Sequence, residues 1–245
     1  MPRPTLPQNL AVQPKLLAAQ AKQKLLTMPV KPKLRGVSHQ YAFFASLLCG
    51  AALVVFASDG RARLAALIYA FAVSALLGTS ALYHRLNWRP RARKWMKRLD
   101  HSMIFVLIAG TYTPLALVAL KGSFAHTILI MMWACALGGV VFKFLWPDAP
   151  KWLPRWLSPK WLSAILYVSF GSLAATTFGE MPAAVGWLGV AGLAGGGLLY
   201  LVGALVYARE RPDPNPRVFG YHEVFHALVI SAAALQYAVI AFVLV

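Results

Sequence analysis

Residues 221–245, YHEVFHALVISAAALQYAVIAFVLV, decide the class of fold because 222–244 form an apolar run long enough to cross a lipid bilayer. A hydrocarbon core about 30 Å thick needs a helix of roughly 20 residues. The run opens with His222 and His226, which lie one turn apart on the same face of a helix. That spacing suits two ligands of one metal ion, and a metal site needs at least a third protein ligand.

The rest of the chain has the same apolar character. Of its 245 residues, 59% are hydrophobic and only 13% are charged, whereas soluble domains carry roughly 25% charged residues. Further apolar runs lie at about residues 39–57, 63–83, 102–120, 124–146, 161–179 and 184–208. The sequence therefore predicts an all-α membrane protein, a bundle of seven transmembrane helices, whose surroundings are membrane lipids.

The basic residues predict the orientation of this bundle. The formal net charge is +17, but the basic residues lie between the apolar runs, which argues against a nucleic-acid partner. Of the 24 Lys and Arg residues, 21 fall in residues 1–35 or in the connections after the second, fourth and sixth runs. By the positive-inside rule, the N-terminus is cytoplasmic and the C-terminus is outside. We therefore expect a multi-pass protein of the cell inner (plasma) membrane.

Two regions follow from this pattern. Residues 36–245 form the seven-helix transmembrane domain, and residues 1–35 form a basic cytoplasmic tail with seven Lys or Arg and no acidic residue. Within the tail, residues 15–27 (KLLAAQAKQKLLT) could form a short amphipathic helix lying on anionic inner-leaflet lipid. A disordered tail is the alternative.

Small residues in the apolar runs are interpreted through packing. Gly192-x-x-x-Gly196 in the sixth run predicts close packing of that helix on a neighbour. Cys49 and Cys135 are isolated, make no C-x-x-C pair, and are interpreted as core packing residues.

Five residues that could form a site fall at one membrane depth in this topology. The second helix ends with Ser80 and His84, which lie one turn apart on one face. The third helix begins on the same side at Asp100, and the seventh begins with His222 and His226. Ionisable residues within a membrane are rare and costly, so this convergence indicates a functional site near the inner face.

Several of these assignments have alternatives. Asp100 could instead cap the third helix or pair with a nearby arginine. His39 and His101 lie on the same side and are rival ligands, although His101 is about 100° around the helix from Asp100. Glu223 makes the string H-E-x-x-H and could be a general base. It could equally pair with a basic loop residue such as Arg217.

At these residues the chain resembles the hemolysin III family, within the wider progestin and adipoQ receptor superfamily. The matching strings are Ser80-Ala-Leu-Tyr-His84, Arg98-Leu-Asp100-His101-Ser102, Ala109-Gly-Thr-Tyr-Thr-Pro114 and His222-Glu-Val-Phe-His226. The resemblance covers residues 36–245 and implies a zinc ion held by three histidines near the cytoplasmic face. Carried over by motif, these are His84, His222 and His226. Asp100 would hold the zinc-bound water, and Ser80 would contact that water or the substrate.

The implied chemistry is hydrolysis of an amide or ester in a membrane lipid. Three neutral histidines leave zinc a fourth position for water, whose pKa zinc can lower to about 7. Related receptors are linked to ceramide hydrolysis, so a ceramide-like amide is the substrate that the resemblance suggests.

Other functions are weighed against this one. Zinc could be structural in a non-enzymatic sensor or regulator of membrane state, or the protein could be a cytolytic, hemolysin-like membrane protein. An intramembrane metalloprotease is disfavoured because no Asp, Glu, His or Cys follows His226 to supply a third ligand. A retinal protein is excluded because the seventh run has no Lys for a Schiff base. The sequence points to no protein partner.

Overall fold

Seven α-helices make up most of what the computed structural model describes, which is residues 31–145, 159–177 and 179–245 together with the single residue Ala18. In chain order they are α1 (Val37–Phe56), α2 (Gly60–Arg85), α3 (Pro90–Pro114), α4 (Gly122–Leu145), α5 (Pro159–Gly171), α6 (Met181–Arg209) and α7 (Tyr221–Leu244). The predicted all-α bundle of seven helices is confirmed. The amphipathic helix predicted at 15–27 falls outside the described residues apart from Ala18.

Six of the seven helices are long and apolar enough to cross a membrane, and α5 is the exception. The fifth apolar run, 161–179, forms the 13 residues of α5 and then a 3-10 helix, Ser172–Thr177. With rises of 1.5 and 2.0 Å per residue, the two segments together extend about 31 Å. This matches a hydrocarbon core of about 30 Å.

The helix ends follow local chemistry. Asp59 caps α2, since its side chain accepts a hydrogen bond of 2.8 Å from the Ala62 amide. Pro90 opens α3, a position where its missing N–H costs nothing. At the other end of α3, Pro114 has no N–H to donate, and the chain continues as a π-helix over Leu115–Ala119.

The third helix lies at the centre of the bundle. It packs against α2, α4, α5 and α7, while α1 packs against α2 and α7, and α6 against α5 and α7. The close packing predicted for α6 is confirmed. A Cβ on Gly192 would lie 2.6 Å from a Val239 methyl group, and one on Gly196 would lie 2.7 Å from Gln236 Nε2. The backbones of α6 and α7 therefore approach closely along this stripe.

The outer surface of the bundle is apolar. Large side chains such as Leu48, Leu188 and Phe242 are exposed there, as expected of helices that face lipid. Cys49 and Cys135 are also exposed, so their interpretation as core residues is wrong. Their helices are apolar on all sides, and an apolar run of this kind does not reveal which face is turned inward.

Candidate metal centre

Three histidine side chains from two helices meet at one end of the bundle. His84 lies in the last turn of α2, and His222 and His226 lie in the first turns of α7. One ring nitrogen from each lies within 4.8 Å of the other two, and all three residues are buried. The Nε2 atoms of His84 and His222 are 3.1 Å apart. We call these three residues the histidine cluster.

The histidine cluster fits a tetrahedral metal ion. Two imidazole nitrogens bound to zinc at 2.0–2.1 Å in tetrahedral geometry are about 3.3 Å apart. The separation of 3.1 Å between the His84 and His222 nitrogens is close to this value. The ring centroid of His226 lies 5.1 Å from that of His84 and 4.6 Å from that of His222, and a nitrogen of this third ring is within 4.8 Å of a nitrogen of each of the others. The residues present can therefore hold one ion while leaving a position open.

A carboxyl group and a hydroxyl group adjoin the cluster. Asp100 Oδ2 lies 3.9 Å from His84 Nε2, and the Ser80 hydroxyl interacts with the Asp100 carboxyl group. The interpretation of Asp100 as a helix cap is wrong, because α3 begins ten residues earlier, at Pro90. Asp100 instead projects from the interior of α3, and both it and Ser80 line the cavity described below.

Glu223 has a structural partner for each carboxylate oxygen. Its Oε1 accepts a hydrogen bond of 2.5 Å from Arg35 Nε, and its Oε2 accepts one of 2.8 Å from the Gly220 amide. The partner is thus a basic residue outside the helices, as one alternative anticipated, but it is Arg35 and not Arg217. Engaged in this way, Glu223 caps α7 and ties it to the segment before α1, which argues against a role as general base.

His39 is close to the cluster but cannot share its metal ion. Its ring stacks on that of His226, with centroids 3.7 Å apart and planes only 8° from parallel. An ion bound by His226 lies in the plane of that ring, and the near-parallel stacking therefore places it far outside the plane of the His39 ring. Imidazole binds metal in its own plane at 2.0–2.1 Å. Sequence position left His39 as a rival ligand, and the stacked geometry removes it.

His101 is also separate from the cluster. Its ring lies 6.4 Å from that of Tyr207 in an edge-on arrangement, and its carbonyl oxygen accepts a hydrogen bond from the Tyr167 hydroxyl. This agrees with the expectation that neighbours on a helix do not face one ion.

A short segment before α1, residues 31–36, crosses the mouth of the site, and we call it the strap. The Lys33 and Leu34 amides donate hydrogen bonds to the carbonyl oxygens of Arg217 and Val218. Gly36 takes the left-handed conformation, with φ of 78°, and a Cβ there would lie 2.7 Å from that of His84. Sequence patterns missed this feature because the strap has no periodicity, and its glycine was the available signal.

An apolar cavity of about 470 Å³ extends from the cluster into the bundle. Its lining runs from Asp100 on α3 to Leu115 at the start of the π-helix, and from His222 to Gln236 on α7. These stretches of 16 and 15 residues extend about 21–23 Å along a helix axis. Most of the side chains that line the cavity are apolar. Three of the hydroxyls in the lining, those of Thr111, Tyr112 and Tyr167, donate hydrogen bonds to backbone carbonyl oxygens. Its shape and chemistry suit a hydrocarbon chain.

Comparison with known proteins identifies the family. The profile described as haemolysin-III related matches residues 28–237. A relative named "Hemolysin-3 homolog" from Bacillus subtilis (strain 168) is 30% identical over 204 residues, which cover 82% of this chain and 88% of that protein. "Hemolysin-3" from Bacillus cereus is 28% identical over 220 residues, covering 88% of this chain and 93% of that protein.

A more distant relative is a receptor. "Adiponectin receptor protein" from Drosophila melanogaster is 29% identical over 188 residues, covering 69% of this chain and 40% of that protein. The chain therefore belongs to the hemolysin III family, within the progestin and adipoQ receptor superfamily.

Proposed function

We propose that this protein binds zinc through His84, His222 and His226 and hydrolyses an amide or ester bond in a membrane lipid. One observation carries the proposal. A three-histidine cluster, a partly buried carboxyl group and an apolar cavity of acyl-chain length meet at one place. Each feature alone has a simpler explanation, but a structural ion would need neither the carboxyl group nor the cavity.

The donor set favours zinc. Imidazole nitrogens suit zinc, and three protein ligands with an open position are typical of catalytic zinc sites, whereas structural sites use four. When bound, zinc supplies a Lewis acid that polarises a carbonyl oxygen and lowers the pKa of water.

The residues around the cluster supply the remaining functions. Asp100, at 3.9 Å from His84 Nε2, is placed to take a proton from water beside the cluster. Ser80 orients the Asp100 carboxyl group through their contact. The cavity would hold the acyl chain and exclude water from the reacting carbonyl group. A ceramide-like amide meets these requirements, since its amide bond joins a hydrocarbon chain to a polar head.

The orientation is part of the proposal. The strap, the α2–α3 connection and the α6–α7 connection all lie at the end of the bundle that carries the cluster. The strap carries three Lys or Arg residues and residues 85–98 carry seven, which supports a cytoplasmic location for the N-terminus and for the site. In a bacterial cell this is the inner membrane. A basic tail over residues 1–35 would then face anionic inner-leaflet lipid.

Metal content tests the first half of the proposal. We expect near-stoichiometric zinc in the purified protein by elemental analysis, and loss of most of it in His84→Ala, His222→Ala and His226→Ala. His126→Ala is the matched control because His126 is exposed at the start of α4 and contacts the Gly122 carbonyl. Full zinc retention in any one of the three cluster variants would overturn the three-histidine assignment.

Turnover tests the second half. Zinc-loaded protein in mixed micelles is incubated with a ceramide, a diacylglycerol and an N-acyl amino acid, and released fatty acid is measured. Asp100→Asn should retain zinc and lose at least 100-fold in rate, because it removes the proton acceptor. Release of fatty acid at the same rate by wild type and Asp100→Asn would refute the assigned role.

Structural or regulatory zinc is the second candidate function. Its support is that the ligands come from two helices, so that a bound ion ties α2 to α7. In that case zinc removal lowers the unfolding temperature of the protein, and no lipid in the panel is cleaved.

A further inference from the structure

Four basic side chains converge at the mouth of the histidine cluster. Lys31 and Arg35 come from the strap, Arg85 ends α2, and Arg93 lies in the first turns of α3. The pKa of the Lys31 amine lies below its usual range because of partial burial and then because of the charges of Arg93, Arg85 and Arg35. Lys31 is therefore close enough to each of the three arginines to be repelled by it.

Three of these charges have no carboxylate partner among the described residues. Arg35 is neutralised by Glu223. Arg85 Nε donates to the neutral Gln40 side chain at 3.1 Å, and Lys31, Arg85 and Arg93 are all exposed. We call these last three residues the basic cluster.

The basic cluster adjoins the candidate metal centre. The Arg93 guanidinium lies 5.5 Å from the centre of the Tyr83 ring, and that ring lies 4.6 Å from the ring of His84. Arg85 follows His84 directly in the chain. Its side chain packs beside Gly36 of the strap, close enough to contact a Cβ added at that residue. Two contacts, through the Tyr83 ring, thus link Arg93 to His84 of the histidine cluster.

Orientation signals alone do not require this convergence. The positive-inside rule is met by basic residues anywhere in the short connections on one side. Gathering three of them at one mouth adds like-charge repulsion, which an anion bound between them would relieve. Phosphate oxygens accept charge-assisted hydrogen bonds from Arg and Lys, and basic pockets between transmembrane helices bind lipid headgroups in this way.

We propose that Lys31, Arg85 and Arg93 form a binding site for a phosphate group, and that its occupant is the headgroup of a phospholipid whose acyl chain enters the cavity. The first part stands on the basic cluster alone. The second part rests on the proposed function, because it makes that phospholipid the substrate or a competitor of the substrate.

Binding of three probes tests the proposal. Purified full-length protein in neutral detergent is titrated with dioctanoylphosphatidic acid, dioctanoylglycerol and inorganic phosphate, and binding is followed by thermophoresis. We expect phosphatidic acid to bind at least tenfold more tightly than dioctanoylglycerol. Arg85→Gln/Arg93→Gln should remove this preference, and Arg85→Lys/Arg93→Lys should retain most of it because the charges remain.

The matched control is Arg91→Gln/Lys94→Gln, which removes two exposed charges from the same end of α3. It should bind phosphatidic acid within twofold of wild type. Equal losses in both charge-removing variants, or no loss in Arg85→Gln/Arg93→Gln, would overturn the site. If inorganic phosphate binds as tightly as phosphatidic acid, the site takes free phosphate and the lipid assignment is wrong.

Repeating the titration with His222→Ala separates a failure of the hydrolase proposal from a failure of the phosphate-site proposal. A retained preference for phosphatidic acid in that variant supports a phosphate site that does not depend on the metal centre. Loss of the preference there would contradict a site built by the basic cluster alone.

Discussion

Removal of the His39 ring should weaken metal binding without abolishing it. His39 stacks on His226 at a centroid distance of 3.7 Å and is 2% exposed, so it fixes one face of a cluster histidine. A stacked aromatic pair contributes about 0.5–1.5 kcal/mol beyond its buried area. At 1.36 kcal/mol per factor of ten, this corresponds to a zinc affinity about 2- to 13-fold weaker in His39→Ala. His39→Phe keeps a ring of similar shape and should bind zinc within about twofold of wild type.

The assay is competition for zinc against a chelator of known affinity, with purified protein in detergent. His126→Ala serves as the control for loss of a histidine elsewhere. Failure of both His39 variants to bind zinc at saturating metal would mean that His39 is itself a ligand and that the stacking argument is wrong. An unchanged affinity in His39→Ala would show instead that the ring does not hold its neighbour in place.

Three other substitutions test features of the fold around the site. Gly36→Ala places a Cβ where φ is 78° and should cost about 1–2 kcal/mol and weaken zinc affinity, whereas Gly60→Ala meets no atom within 4 Å and should do neither. Glu223→Gln leaves a partly buried guanidinium unpaired, and denaturant unfolding should show a loss of about 1–3 kcal/mol with zinc content unchanged. Gly197→Phe fills part of the cavity and should reduce binding of a fluorescent fatty acid while retaining zinc. Gly138→Phe, on an exposed face of α4, is its control, and equal effects of the two would argue against lipid in the cavity.

The end of the bundle at which each candidate site residue lies was the property that sequence predicted best. Charge asymmetry and helix length put Ser80, His84, Asp100, His222 and His226 at one level, and the structure places all five at one end of the bundle. This works because each apolar run must match the thickness of the hydrocarbon core, which fixes where its ends lie. Residues far apart in the sequence can therefore be predicted to lie at the same level.

Rotation about each helix axis was not predictable in the same way. His39 lies at the correct depth for a ligand, and only the facing of α1 toward α7 shows that it stacks on His226. Cys49 and Cys135 face outward for the same kind of reason. A helix that is apolar on all sides carries no signal for its inward face, so contacts with neighbouring helices decide it.

Helix ends outside the apolar runs were also missed. Half of the first ten residues of α3 are basic, so a criterion based on hydropathy starts the helix near Asp100, while the backbone becomes helical at Pro90. The proline at the first helical position was the available signal. The partner of Glu223 was uncertain for a related reason, since Arg35 lies in a strap without regular structure.

The position of the cluster in the chain also governs when it can form during synthesis. His84 and His222 are separated by 138 residues, and α7 is the last of the seven helices. At 5–20 residues per second, roughly 7 to 28 s pass between translation of the first histidine and the second. A metal ion held by the cluster therefore could not guide insertion of the early helices. A chain interrupted between α2 and α7 would emerge from the ribosome with a single cluster histidine, and one interrupted earlier with none, so metal content would report how many chains have been completed and assembled.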